Sequence, residues 1–168
     1  MKFTQQNISS ARINLSEFVI AKAKDLSYIF DFGYKAVDNA PNDYDSLLEA
    51  WHHAKHQKEQ GKDAFLPIWN GASDTTIYTS QEANYAFRFW HDVLHCISGL
   101  KFNTLDEIDL GLMQTENVKK RFGNDSLEAK LMLADTVGQS TYAALNNGEF
   151  PEDQMAFVLS FLNTMKGN

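Results

Sequence analysis

On a helical wheel at about 100° per residue, the stretch from Ser80 to Ser98 spreads Tyr85, Ala86, Phe87, Phe89, Trp90, Val93, Leu94, Cys96 and Ile97 over roughly 200°. One neighbour cannot cover so wide an apolar arc, so the pattern demands a mainly α fold with this helix at its centre. The rest of the chain supplies the partners. An oxygen-bearing residue followed three positions later by Glu marks a helix start, because the two side chains satisfy two N–H groups that the first turn leaves open. Asn14/Glu17, Ser46/Glu49, Thr79/Glu82, Thr104/Glu107 and Asp125/Glu128 fit that spacing and predict helices near 15–36, 46–60, 80–98, 105–121 and 126–146. A sixth is entered through Pro151 and runs to about Lys166. Gly61, Gly99, Gly123 and Gly148 fall where these helices should stop.

Residues 63–79 break the helical pattern. Pro67, Gly71 and Asp74 punctuate this stretch, and Ile77, Tyr78 and the adjacent threonines favour extended backbone, so it reads as a structured loop or short strand. No repeat, low-complexity tract or linker interrupts the chain, and its 168 residues suit one compact helical bundle, a single domain over 1–168. A formal charge of −7 without a Lys/Arg-rich run argues against nucleic-acid binding through the phosphate backbone. The lone Cys96 leaves no internal disulfide, the first residues hold no apolar signal core, and no stretch approaches a membrane span. These features predict a cytoplasmic protein.

The narrow polar stripe of the 80–98 helix carries Asn84, Arg88, His91, Asp92, His95 and Ser98. One reading makes it a solvent face with Arg88 and Asp92 paired one turn apart. A solvent face usually carries Lys and Glu, whereas this one carries ligand and catalytic types. His91 and His95 stand one turn apart and can share a divalent ion, Zn²⁺ or similar, if carboxylates complete its shell. Two acids are expected to do so. Glu107 follows by a short connection, although it also fits as the capping partner of Thr104. Asp135 sits at the edge of an apolar face formed by Leu127, Leu131, Ala134, Gly138, Tyr142 and Leu145, where a carboxylate is expensive unless paired or metal-bound. A pairing of Asp135 with Arg88 explains it without metal. Gln139, one turn on, and Asn84 are expected to orient the ligands from behind.

His91-Asp92-Val93-Leu94-His95 resembles the zincin motif H-E-x-x-H, with Asp in place of the general-base Glu. The adjacent His91-Asp92 also resembles the core of HD-domain phosphohydrolases. That resemblance implies His53 or His56 as upstream ligand and Asp135 as downstream ligand. From Leu66 to Phe157 the chain is similar to a group of largely uncharacterised bacteriophage and bacterial proteins. The similarity rests on Asn84, Phe87-Arg88, Trp90-His91-Asp92, His95, Phe102, Glu107, Val137-Gly138-Gln139, Phe150-Pro151 and Asp153-Gln154. It implies that His91, His95, Glu107 and Asp135 form one constellation.

The expected function is a metal-dependent hydrolase. Asp92 would take the proton from a metal-activated water and Arg88 would clamp a small anionic substrate, which favours a phosphoester or nucleotide over a peptide. The alternative is a non-catalytic phage-type protein that binds a host protein or sequesters a ligand, with Trp69 and Tyr78 on the contact surface.

Overall fold

A computed structural model describes residues 4–165. The fold is mainly α: α1 (Gln5–Phe30), α2 (Tyr44–Glu59), α3 (Gln81–Ser98), α4 (Thr104–Phe122), α5 (Leu127–Leu133), a π-helical turn (Ala134–Gly138), α6 (Gln139–Leu145) and α7 (Gln154–Thr164). Strands β1 (Gly33–Val37) and β2 (Phe65–Trp69) form a small parallel sheet. Lys166, the expected end of the last helix, lies outside the described residues.

The chain divides into two compact units, one made of 17–73 and 80–102, the other of 1–16, 74–79 and 103–168. In the first, β1, α2 and β2 make a crossover unit in which Gly33 to Val37 pair in register with Phe65 to Trp69. Parallel strands cannot be joined by a hairpin, and α2 supplies the required crossover. Leu66 and Ile68 point inward from β2 and are fully buried. On α3, Ala86, Phe89 and Val93 are also fully buried, with Phe89 against Tyr34 and Trp90 edge-on to Phe18. Trp51 of α2 packs edge-on against Phe30 and Phe32. The broad apolar arc is thus covered, except that Ile97 near the helix end is exposed.

In the second unit α4 packs along α5, the π-helical turn and α6. Gly111 makes this approach possible, since a Cβ there would lie 2.8 Å from Thr136 Oγ1 and 2.9 Å from its Cβ. The 74–79 segment is held by backbone contacts. Arg12 Nε donates to the Ile77 carbonyl at 2.7 Å and Nη2 to that of Tyr78 at 3.3 Å, while the Met155 N–H donates to the Thr75 carbonyl at 2.6 Å.

The first helix and the helix caps differ from those expected from the sequence. The first helix spans Gln5–Phe30, not 15–36, and its start is closed by Thr4 Oγ1, which accepts from the Asn7 N–H. Asn14 is therefore mid-helix, and its amide donates to Glu128 instead of capping toward Glu17. The helix ends at Asp31, whose φ of 58° is left-handed, a stop that no glycine announces. Beyond it, 33–37 gains the ladder with β2 and becomes strand. The other helix starts exist, but their caps are Asp43, Ser80, Asn103 and Ser126.

Candidate metal centre

His95 occupies the last turn of α3 with no solvent exposure. Its Nδ1 lies 2.8 Å from the Leu100 carbonyl, just past the left-handed cap at Gly99. A carbonyl only accepts, so Nδ1 carries the proton in this bond and the neutral ring keeps its lone pair on Nε2. Phe102 closes against the ring edge at 4.7 Å between centroids. The half-buried His91, one turn earlier, brings its Nε2 to 3.0 Å from that of His95. Two ring nitrogens from one helix therefore converge on one point, and one of the two rings is held by a buried backbone acceptor.

The competing readings of these residues meet specific contacts. The stripe is not a solvent face: Asn84 is 3% exposed and His95 0%. Glu107 is not the capping partner of Thr104, because Asn103 is the cap. Asn103 Oδ1 accepts from the Asp106 N–H at 3.1 Å and its amide donates to the Asp106 carboxylate at 2.7 Å. Glu107 is left in the first turn, where a negative charge suits the helix N-terminus without being needed to close it.

Asp135 lies in the π-helical turn, 8% exposed, and accepts from Gln139 Nε2 at 2.7 Å and from Tyr78 Oη at 3.2 Å. Tyr78 is itself only 5% exposed, which removes it from any contact surface; Trp69 is half exposed. Asn84 Nδ2 donates to Ser73 Oγ at 2.9 Å and so anchors the loop after β2. Arg88 stacks on Trp69, with Cζ 4.8 Å from the ring centroid, and Nη1 donates to the Trp69 carbonyl. Asp92 is half-buried, and its charge, second to burial, helps push the Cys96 thiol up to about 12. His52, His53 and His56 are exposed along α2, where His56 Nε2 meets the Gln60 amide at 2.8 Å.

Three contributors have roles here that the sequence did not give them. The Leu100 carbonyl that orients His95 is a backbone group, Phe102 entered only through the resemblance, and Tyr78, expected on a contact surface, reaches Asp135 from 57 residues away. No protein-family model, curated protein or solved structure matches the chain.

Proposed function

We propose that His91, His95 and Glu107 hold a divalent metal ion and that the protein is a metal-dependent hydrolase. The observation that carries this reading is the approach of the two Nε2 atoms to 3.0 Å, with the His95 tautomer set by the Leu100 carbonyl. Two nitrogens each about 2.1 Å from one ion stand about 3.0 Å apart at a right angle and about 3.4 Å apart in a tetrahedron. The rings therefore need only a small adjustment to share an ion. Ligating histidines characteristically donate their second ring N–H to a carbonyl or carboxylate, and His95 does so.

Two imidazoles and one carboxylate leave at least one coordination position for water or substrate, the pattern of catalytic rather than structural sites. An ion so held would supply a Lewis acid and would lower the pKa of a bound water to about 7. Asp92, adjacent to His91, is the base assigned to the proton, the place that Glu takes in H-E-x-x-H. Its side chain is one methylene shorter.

Protein purified without an affinity tag is expected to retain about one equivalent of a divalent transition metal, removable by a chelator and restored by Zn²⁺ or Mn²⁺. His91→Ala and His95→Ala should each abolish retention. Retention should also fall as pH drops into the range where imidazoles protonate, because only the neutral ring ligates. A wild-type protein that binds none of the divalent ions tested, or variants that bind them unchanged, would sink both the site and the hydrolase.

A further inference from the structure

We infer that the exposed face of α4 is the interface of a homodimer, in which two copies of this chain lay their α4 helices antiparallel across a twofold axis. Leu105, Asp109, Leu112, Met113, Glu116 and Lys120 are all exposed, and at about 100° per residue they fall within an arc of about 100°. The buried residues of the helix, Leu110, Gly111, Gln114, Thr115 and Val118, occupy the opposite side. Half of the open strip is thus large and apolar, and Leu105 is 73% exposed. Single apolar side chains scattered over a surface are ordinary. Three on one strip of one helix form a patch of the kind that a partner covers.

The charges on the strip select a second copy as that partner. Glu116 is paired with Lys119 in its own helix, whereas Asp109 and Lys120 enter no ion pair among the described residues. These two are opposite in sign and stand about three turns apart. A parallel pairing of two α4 helices sets Asp109 against Asp109 and Lys120 against Lys120, like charges at both ends. An antiparallel pairing exchanges them. With the axis between Leu112 and Met113, Leu112 of one copy meets Met113 of the other, and Lys120 of one copy lies level with Leu105 of the other. The aliphatic stem of Lys120 covers that leucine, and its ammonium reaches Asp109 one turn on, about 5.4 Å along the helix. Glu116 comes level with Asp109, but Lys119 and Lys120 neutralise the two carboxylates between them. The same arrangement brings the acidic first turn, with Asp106 and Glu107, to the other copy's basic last turn, with Lys119, Lys120 and Arg121.

The contact uses the same patch on both copies, so it closes at two chains. Its size sets its strength. Over 19 residues α4 is about 28 Å long, and a strip about 10 Å wide along it covers about 280 Å² per copy. A standard interface takes about 800 Å² per partner, so this dimer forms at micromolar rather than nanomolar concentrations.

The test is sedimentation of the full-length protein from about 5 to about 500 µM, with circular dichroism to verify that each variant is folded. The wild-type mass should rise with concentration from one chain toward two. Leu112→Asp should stay monomeric throughout. Asp109→Lys and Lys120→Asp should each weaken the dimer at least tenfold, and the double variant Asp109→Lys/Lys120→Asp, which exchanges the pair, should return to within threefold of wild type. Tyr28→Ser, at an exposed tyrosine of α1 outside the strip, should leave the dissociation constant within twofold. A wild type that stays monomeric to the top of the range would overturn the inference and leave the strip to a partner of other chemistry. Wild-type association in Leu112→Asp, or a double variant as weak as the single ones, would overturn the antiparallel α4 interface.

Discussion

Replacing Glu107 by Gln separates the proposed ligation from helix capping, because the structure gives the cap of α4 to Asn103. The cap of α4 is Asn103, joined reciprocally to Asp106 by bonds of 3.1 and 2.7 Å. Removing such a cap costs about 0.5–2 kcal/mol. At about 2–4 °C per kcal/mol for a chain of this size, Asn103→Ala should lower the apo-protein Tm by about 1–8 °C. Glu107→Gln forfeits only the attraction of a first-turn carboxylate to the helix N-terminus, about 0.3–1 kcal/mol, hence about 1–4 °C. The order reverses for metal. If Glu107 ligates as proposed, Glu107→Gln removes the anionic ligand, and metal affinity should fall at least tenfold, or by more than about 1.4 kcal/mol. Asn103→Ala should stay within twofold of wild type. Thermal unfolding in a chelator and competition with a chromophoric chelator give the two numbers on the same samples. If Glu107→Gln destabilised the apo protein as much as Asn103→Ala while keeping wild-type metal affinity, Glu107 would be part of the helix start and not a ligand.

Two further predictions use other parts of the structure. Cys96, its thiol pushed up to about 12 by burial and then by Asp92, should alkylate at pH 8 about a thousandfold more slowly in the native protein than in urea. The sign for stability follows: the protonated thiol favours the fold below the unfolded value near 9.0, and this contribution is lost as pH rises toward 12. Native alkylation at the urea rate would contradict the burial. Tyr78→Phe keeps the buried ring but deletes the hydroxyl that donates to Asp135 at 3.2 Å, so denaturant unfolding should show a loss of about 1–3 kcal/mol. A change below about 0.5 kcal/mol would mean that the bond is idle.

The parts of this protein that were legible in its sequence are those fixed within one helical turn or two. The stripe of α3 could be drawn because 84, 88, 91, 92 and 95 are neighbours by helix geometry alone, and the same geometry brings the His91 and His95 nitrogens to 3.0 Å. Helix starts were legible to within a few residues, because Asp43, Ser80, Asn103 and Ser126 stand near the positions that the Glu spacing marked. The strand at 33–37 was not legible. Its residues pair with Phe65 to Trp69 across an intervening helix, and no window of the local sequence contains both partners.

The helix from 127 to 145 shows a subtler limit, in which the periodicity was right and then slipped. A regular 3.6-residue turn places Leu127, Leu131, Ala134, Gly138, Tyr142 and Leu145 on one face, and the first four are buried at least nine-tenths. The π-helical turn at Ala134–Gly138 takes in one extra residue, which rotates everything after it by about 100° relative to the regular phase. Leu145 is consequently 81% exposed and Ala143, at 7%, takes the inward place. One local and one distant contact meet at this turn. Thr136 Oγ1 donates back to the Met132 carbonyl of α5 at 2.7 Å, and Gly111 of α4 admits Thr136 at a separation that any larger residue would forbid. The extra residue lies in the turn that carries Asp135, directly before Gln139, which donates to it at 2.7 Å. The buried carboxylate thus owes its setting to an irregularity that periodicity smooths over. A sequence pattern can find such an acid by its cost, as it found Asp135, but only the neighbouring helix determines what the acid faces.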